Sequence, residues 1–234
     1  PTTIVFEDET EDPPWAGYIP DFHRPDPDEL PDGYVTAYWF TTPVAEMPVY
    51  MAYLMDRFQQ NGGTVVQRML ISLEEALAEC PLVVNCTGLG SRSLVGDDRL
   101  FPIRGQLVRI ARPDADPYVL LGEGPKTGLV YVVYRPDDVI LGGTAEDGNW
   151  SLVPDPAETE GIIERAIRVA PEVAGAEVLG EIVGLRPGRD AVRLEAEQWD
   201  GGTVVHCYGH GGGGVSLSWG CADDVVALVM AHAT

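Results

Sequence analysis

The chain has 234 residues, 45% of them hydrophobic, enough for one large or two smaller domains with a real core. Its formal charge of -22 repels phosphate backbones and so excludes a general nucleic-acid binder. The sequence shows neither a long membrane-spanning apolar run nor a signal-peptide pattern at Pro1-Thr2-Thr3, so no membrane association is expected.

Much of the acidity is local. Residues 1–32 hold ten acidic residues and one basic residue, Arg24, among several prolines, which reads as a solvated or loosely packed arm. Ile4, Val5, Phe6, Trp15, Tyr18, Ile19 and Phe22 would let that arm, residues 1–33, lie on another chain. Tyr34 to Thr42 is aromatic and β-branched, as strands are. A helix is predicted from Pro43 to Gln60, where Met47, Met51, Leu54 and Phe58 recur on one side before Gly62-Gly63. Val65 to Arg68 suggests a short strand, and Ser72 with Glu75 a capping box for a helix through Glu79. Leu82 to Cys86 reads as a buried strand ending at Thr87-Gly88.

The middle of the chain is richer in strands: Ile103–Ile110, Tyr118–Leu121, Leu129–Tyr134 and Val139–Leu141, the last two joined by Pro136-Asp137-Asp138. A mixed or mostly antiparallel sheet is expected there. Asp155 as N-cap, Pro156 at the first position, and Glu158 and Glu160 in the first turn mark the next helix. Strands at Glu181–Leu185 and Thr203–Cys207 lead to a glycine run. A final helix, Val215–Met230, has the small and apolar residues of one buried on a sheet. The reading is an α/β fold with segments 34–100, 101–180 and 181–234 after the arm.

Cys80, Cys86, Cys207 and Cys221 make no CxxC pair, and Cys86 and Cys207 read as buried thiols. That usage points to a reducing, cytoplasmic compartment. His206 and His210 are separated by glycine and other residues unsuited to one helix face, so no metal site is expected.

The densest signal is Cys207-Tyr208-Gly209-His210-Gly211-Gly212-Gly213-Gly214, where a strand hands over to a helix. Such a turn lets backbone N–H groups approach a ligand, and the helix start favours negative charge. Read alone, it is equally a phosphate-binding nest or a tight turn. No glycine fingerprint of the kind that opens a dinucleotide-binding domain occurs anywhere in the sequence.

In order along the chain stand Trp39-Phe40-Thr41-Thr42, Val84-Asn85-Cys86-Thr87-Gly88, Arg104-Gly105-Gln106, Leu141-Gly142-Gly143-Thr144, Gly148-Asn149-Trp150, Gly184-Leu185-Arg186-Pro187, the glycine run, and Trp219-Gly220-Cys221-Ala222. Together these pieces, over about residues 34–230, resemble the FAD-dependent D-amino-acid oxidases, including the D-aspartate oxidase branch. The resemblance implies FAD in a Rossmann-like domain beside a mixed-sheet substrate domain. It also implies that this chain corresponds to a C-terminal portion, with the FAD-binding fingerprint supplied by an N-terminal polypeptide that is cleaved from it or encoded separately. A higher oligomer is left open.

The resemblance places Arg186 as the clamp for the substrate carboxylate, Tyr131 as a hydroxyl donor to the same group, and the Gly212 carbonyl toward the substrate amine. Without it, Arg186 reads more readily as a surface or structural arginine. The implied flavin-contacting set is Thr87, Gly88, Gly142, Gly143, Gly209, His210, Gly211, Gly212, Gly213, Gly214, Val215 and Ser216. For the glycine pairs the plain alternative is an ordinary turn. His210 is given no role as a base, because in this family the α-hydrogen leaves as hydride. The expected activity is oxidative deamination of a neutral or apolar D-amino acid to a 2-oxo acid, ammonia and hydrogen peroxide. Oxidation of glycine, a secondary amine or D-aspartate, or a non-catalytic binding role, remains open at this stage.

Overall fold

The computed structural model describes residues 1–124, 126 and 128–233. They form two compact units, each assembled from separated stretches of chain: Pro1–Val65, Gly105–Ala145 and Val153–Val183 in the first, Val66–Arg104, Glu146–Leu152 and Gly184–Thr234 in the second.

The first unit is built on a mixed sheet. Its strands are β1 (Thr2–Phe6), β2 (Thr36–Phe40), most of β4 (Phe101–Ala111), β5 (Val119–Glu123), β6 (Val130–Tyr134) and β7 (Asp138–Gly142), in the order β2-β1-β5-β6-β7-β4. The strand β3 (Leu82–Asn85) lies in the second unit. β1 runs parallel to β5 and antiparallel to β2. Val5 in this strand is fully buried, so the expectation of a loosely packed acidic arm fails at this segment. Four β-branched residues in Thr2-Thr3-Ile4-Val5 outweigh the acidic run that follows them. Further along the arm, Trp15 packs edge-on against Phe22, Tyr38 and Phe40.

Two helices belong to the first unit besides short turns: α1 (Met47–Gln60) and, after the four-residue helices α2 (Glu74–Leu77) and α3 (Ser91–Leu94) of the second unit, α4 (Pro156–Val169). α4 starts as its sequence indicates, with the Asp155 carboxylate accepting from Ala157 N at 2.9 Å. It buries Thr159, Ile162 and Ala166 on a core that includes Val108, Ile110, Val132 and Leu141. Gln106 fastens β4 to this helix. Its Nε2 donates to the Thr159 hydroxyl at 2.8 Å and the Asp155 carbonyl at 2.9 Å, while its Oε1 accepts from Asp155 N.

In the second unit, β11 (Gly202–Tyr208) lies between β10 (Arg193–Trp199), antiparallel to it, and β3, parallel to it. The short strand β8 (Glu146–Asp147) pairs with the start of β4 at Ile103 and Arg104, and β9 (Val178–Gly188) runs through both units. The last helix, α5 (Gly214–His232), follows β11 through the glycine turn. The small apolar cluster here centres on Leu73, Leu77 and Val204.

Several expectations are corrected. Val65–Arg68 forms no strand, and Val65 and Val66 are exposed. The Ser72–Glu75 capping box is absent: α2 begins at Glu74 without a side-chain cap, and it is Glu74 that bonds to Ser72. α5 buries no residue, contrary to the buried helix expected; Val215, Leu217, Trp219, Val226 and Met230 are all exposed. The stretch Gly211–His232 is also long and apolar enough to cross a membrane by length and composition, contrary to the expectation that no such run is present. Asp223 and Asp224 sit midway along it, and a carboxylate at the centre of a membrane helix costs about 3 kcal/mol.

Candidate functional site

Two sets of expected residues fall in different units. Tyr131, Gly142 and Gly143 lie in the first; Thr87, Gly88, Arg186 and the run from Gly209 to Ser216 lie in the second.

In the first unit, Tyr131 on β6 stands directly opposite Gly142 on β7. A Cβ on Gly142 would fall 1.9 Å from the Tyr131 ring, and one on Gly143 would fall 2.6 Å from its hydroxyl. Any side chain at either glycine would displace the Tyr131 ring from the position laid across them. Tyr134 faces the other way, into the core beside Tyr118, as strand alternation requires. Burial, with Glu172 nearby, pushes its hydroxyl up to about 12.

In the second unit, β3 ends in a polar knot that sequence reasoning reached only at Thr87. The Asn85 Oδ1 accepts from Thr87 N at 3.1 Å and from Thr87 Oγ1 at 2.8 Å, and Asn85 Nδ2 donates to Ser91 Oγ at 3.1 Å. The same Nδ2 lies 3.2 Å from His206 Nδ1, while His206 Nε2 lies 3.0 Å from the Glu197 carboxylate. An amide donor on Nδ1 makes that nitrogen the acceptor, so Nε2 carries the proton and donates to Glu197. His206 is fully buried, and that burial, together with Arg193, holds its pKa below the usual histidine value. The knot fixes the turn in which Gly88 adopts a φ of +55°, a conformation natural to glycine. The alternation that marks β11 as a strand gave no sign that His206 was part of a network.

A second network holds the glycine run. Tyr208, at the end of β11, donates its hydroxyl to Asp97 Oδ2 at 2.9 Å and accepts from Arg193 Nη1 at 2.9 Å. Arg189 Nε donates to the same Asp97 oxygen at 3.0 Å. Burial raises the Asp97 pKa, but the Tyr208 and Arg189 hydrogen bonds outweigh it and leave the carboxyl below its ordinary value. Gly209 follows with a φ of +84°, and a Cβ there would meet the Arg189 side chain at 2.9 Å.

Beyond Gly209 the turn opens. Gly211–Gly213 form one 3-10 turn, and α5 begins at Gly214 with no side-chain cap. Gly212 is exposed, and a Cβ on it would lie 3.8 Å from the Arg186 Cδ. Gly88 neighbours Pro187, with its own Cβ position 3.9 Å away. Thus Arg186, Gly212 and the uncapped start of α5 are neighbours, while Val215 and Ser216 are exposed in the first helical turn.

The His210 ring turns toward sulfur. Its Nε2 lies 3.4 Å from Cys221 Sγ and 3.9 Å from Cys207 Sγ, and the three atoms are all within 4.8 Å of one another. The expectation of no metal-ligand set is therefore corrected: the turn and helix bring together residues that spacing alone keeps apart. Cys86 is exposed and Cys207 half-buried, not the buried pair expected. Burial, with the touching thiols Cys86 and Cys221, pushes the Cys207 thiol up to about 11.

Comparison with known proteins gives the family. Residues 12–228 match the family described as FAD dependent oxidoreductase. The D-amino-acid oxidase of Rubrobacter xylanophilus is 50% identical over 218 residues, 93% of this chain and 67% of that protein. The human D-aspartate oxidase is 39% identical over 227 residues, 94% of this chain and 65% of that protein. The chain thus spans about two thirds of the length of these curated relatives. Among solved structures, glycine oxidase from Geobacillus kaustophilus superposes with a TM-score of 0.80 over 100% of this chain and 71% of its own, at 16% identity, a likeness of fold.

Proposed function

We propose that this chain, which belongs to the FAD-dependent oxidoreductase family of the D-amino-acid oxidase type, forms the substrate-binding and flavin-edge portion of an enzyme that oxidatively deaminates D-amino acids. The observation that carries the reading is the adjacency of Arg186 and Gly212 beside the uncapped start of α5. In this reading the first unit is the substrate-binding domain and the second is part of the FAD-binding domain.

The glycine turn fits a flavin edge. The Cβ positions of Gly211, Gly212 and Gly213 have no neighbour nearer than 3.6 Å, and the first N–H groups of α5 have no side-chain cap. Those donors and the helix dipole would stabilise negative charge on a ring laid there. Gly209, His210, Gly214, Val215 and Ser216 would shape that edge, with Thr87 and Gly88 bounding it. FAD, when bound, would accept the hydride from the substrate α-carbon.

The chain's own side chains would orient that carbon. The planar Arg186 guanidinium would take the substrate carboxylate in a two-pronged pair, leaving the amine toward the Gly212 carbonyl. No protein base is needed at the α-carbon; orientation supplies the rate. Neutral or apolar D-amino acids are the preferred substrates, and likeness to a D-aspartate oxidase supports acidic ones as the second reading.

In the same reading, the dinucleotide half of FAD is held by polypeptide outside these 234 residues. Support comes from the absence of a glycine fingerprint in the sequence and from the uncovered apolar faces of α1 and α5. Asp223 and Asp224 at mid-helix favour protein over membrane as the neighbour of α5. The four free cysteines support a reducing, cytoplasmic setting.

The test is peroxide release from D-alanine, D-aspartate, glycine and sarcosine by the flavin-bearing assembly. Arg186→Ala should lower kcat/KM for the preferred D-amino acid by on the order of 100-fold, with flavin content unchanged. Loss of flavin in parallel would mean that Arg186 serves the cofactor or the fold. An assembly that never holds flavin would make the chain a binding module.

A further inference from the structure

We infer that Cys207, His210 and Cys221 form a zinc(II) site, tetrahedral, with water in the fourth position. The three ligands come from the end of β11, the glycine turn and the second turn of α5, so an ion there would tie all three together. With Zn–S near 2.3 Å and Zn–N near 2.05 Å, a tetrahedron requires N···S edges of roughly 3.5 Å. The His210 Nε2 lies 3.4 Å from one sulfur and 3.9 Å from the other, so both edges are close to that value before any ion has drawn them in.

A disulfide between the two cysteines would not call for an imidazole nitrogen facing both sulfurs. A sulfur–nitrogen set also selects zinc over magnesium or calcium, which prefer oxygen. Binding releases the two thiol protons to solvent and leaves two thiolates on the ion. Cys86 touches Cys207 from outside the set, where its S–H would donate to the metal-bound sulfur.

Because the chain carries a charge of -22, loose binding of cations by surface carboxylates must be separated from this site. Cobalt(II) added to the anaerobically purified, reduced protein provides the probe. The expected result is one equivalent per chain, with a thiolate charge-transfer band and the visible bands of a tetrahedral site, both abolished by one equivalent of zinc. Cys207→Ser should weaken zinc binding by on the order of 100-fold, and Cys86→Ala by on the order of 10-fold. The spectrum of the unmutated protein decides the question even if a variant fails to fold. Cobalt bound with only octahedral, oxygen-ligand bands would overturn the assignment. So would equal zinc affinity in a folded Cys207→Ser protein, or a Cys207–Cys221 disulfide in the anaerobic preparation.

Discussion

The two units hold themselves together by different physics. The first has a continuous apolar core, from Val5 on β1 through Val108, Val132 and Leu141 to Ile162 and Ala166 on α4. The second has a small apolar cluster and two buried polar networks, Asn85–His206–Glu197 and Asp97–Tyr208–Arg189. Their helices differ too: α4 of the first is amphipathic and seated, α5 of the second is apolar and bare. An apolar core stabilises without caring about ångström-scale placement, whereas a hydrogen-bond network fixes positions. The first unit adds one such network, Gln106 with Thr159 and Asp155, to its large core, whereas the second unit, which presents the glycine turn, sets two beside a small one.

The largest expected effect tests that contrast directly. Ile162→Ala removes a fully buried side chain from the first unit and should cost about 3–4 kcal/mol by urea unfolding. Val226→Ala on α5, where the side chain is 59% exposed, should cost less than about 0.5 kcal/mol in this chain by itself. A comparable loss at Val226 would show that α5 is covered in solution, and the contrast between the helices would fall.

Next comes the second unit's own anchor. Asp97→Ala leaves the Tyr208 hydroxyl and the Arg189 guanidinium without their shared acceptor and should cost about 3 kcal/mol. The carboxyl lies below its ordinary pKa in the folded chain, so its contribution is full above about pH 4 and is lost as pH falls through the folded value. Acid unfolding of the unit should therefore flatten in the variant.

His206 separates the units in a milder pH range. Its folded pKa is depressed by burial, so the unfolded chain takes up the proton first as pH falls below about 6.5. Stability is full above that pH and declines as pH falls toward the folded value, by at most about 1.4 kcal/mol per pH unit. Unfolding followed from pH 7.5 to 5.5 should show this decline, and His206→Gln should remove it. An unchanged slope in the variant would assign the loss to another group.

How much of this was legible follows the same division. The first unit announces itself through alternation and capping residues: Asp155-Pro156 fixes the start of α4, and β6 and β7 lie within a residue or two of where their patterns place them. β1 escaped because ten acidic residues around it swamp a five-residue strand whose partners lie far along the chain. In the second unit, the residues proposed to face the ligand were legible only through resemblance to a family. Asn85 meets Ser91 and His206, and Asp97 meets Tyr208, across 6 to 121 positions of sequence, and no local period records that. The Cys207–His210–Cys221 cluster was hidden for the same reason. Its members sit on a strand end, a turn and a helix, with no repeated spacing to mark a ligand set.

The smallest effect on stability is also the most informative, because it divides the glycine run itself. Gly209 is structural: its φ of +84° strains any other residue, and a Cβ would press on Arg189, the partner of Asp97. Gly209→Ala should cost about 1–2 kcal/mol. Gly212 has no such φ, and its Cβ would find only the Arg186 stem at 3.8 Å, ordinary contact distance. Gly212→Ala should therefore leave stability within about 0.5 kcal/mol of the parent, since it demands no strained backbone and displaces nothing. If Arg186 clamps a carboxylate beside that backbone, the added methyl occupies substrate space and should raise KM while thermal unfolding stays the same. A change in neither quantity would leave Gly212 an ordinary turn residue and move the substrate away from Arg186. A drop in stability without a KM effect would return the whole run to the scaffold.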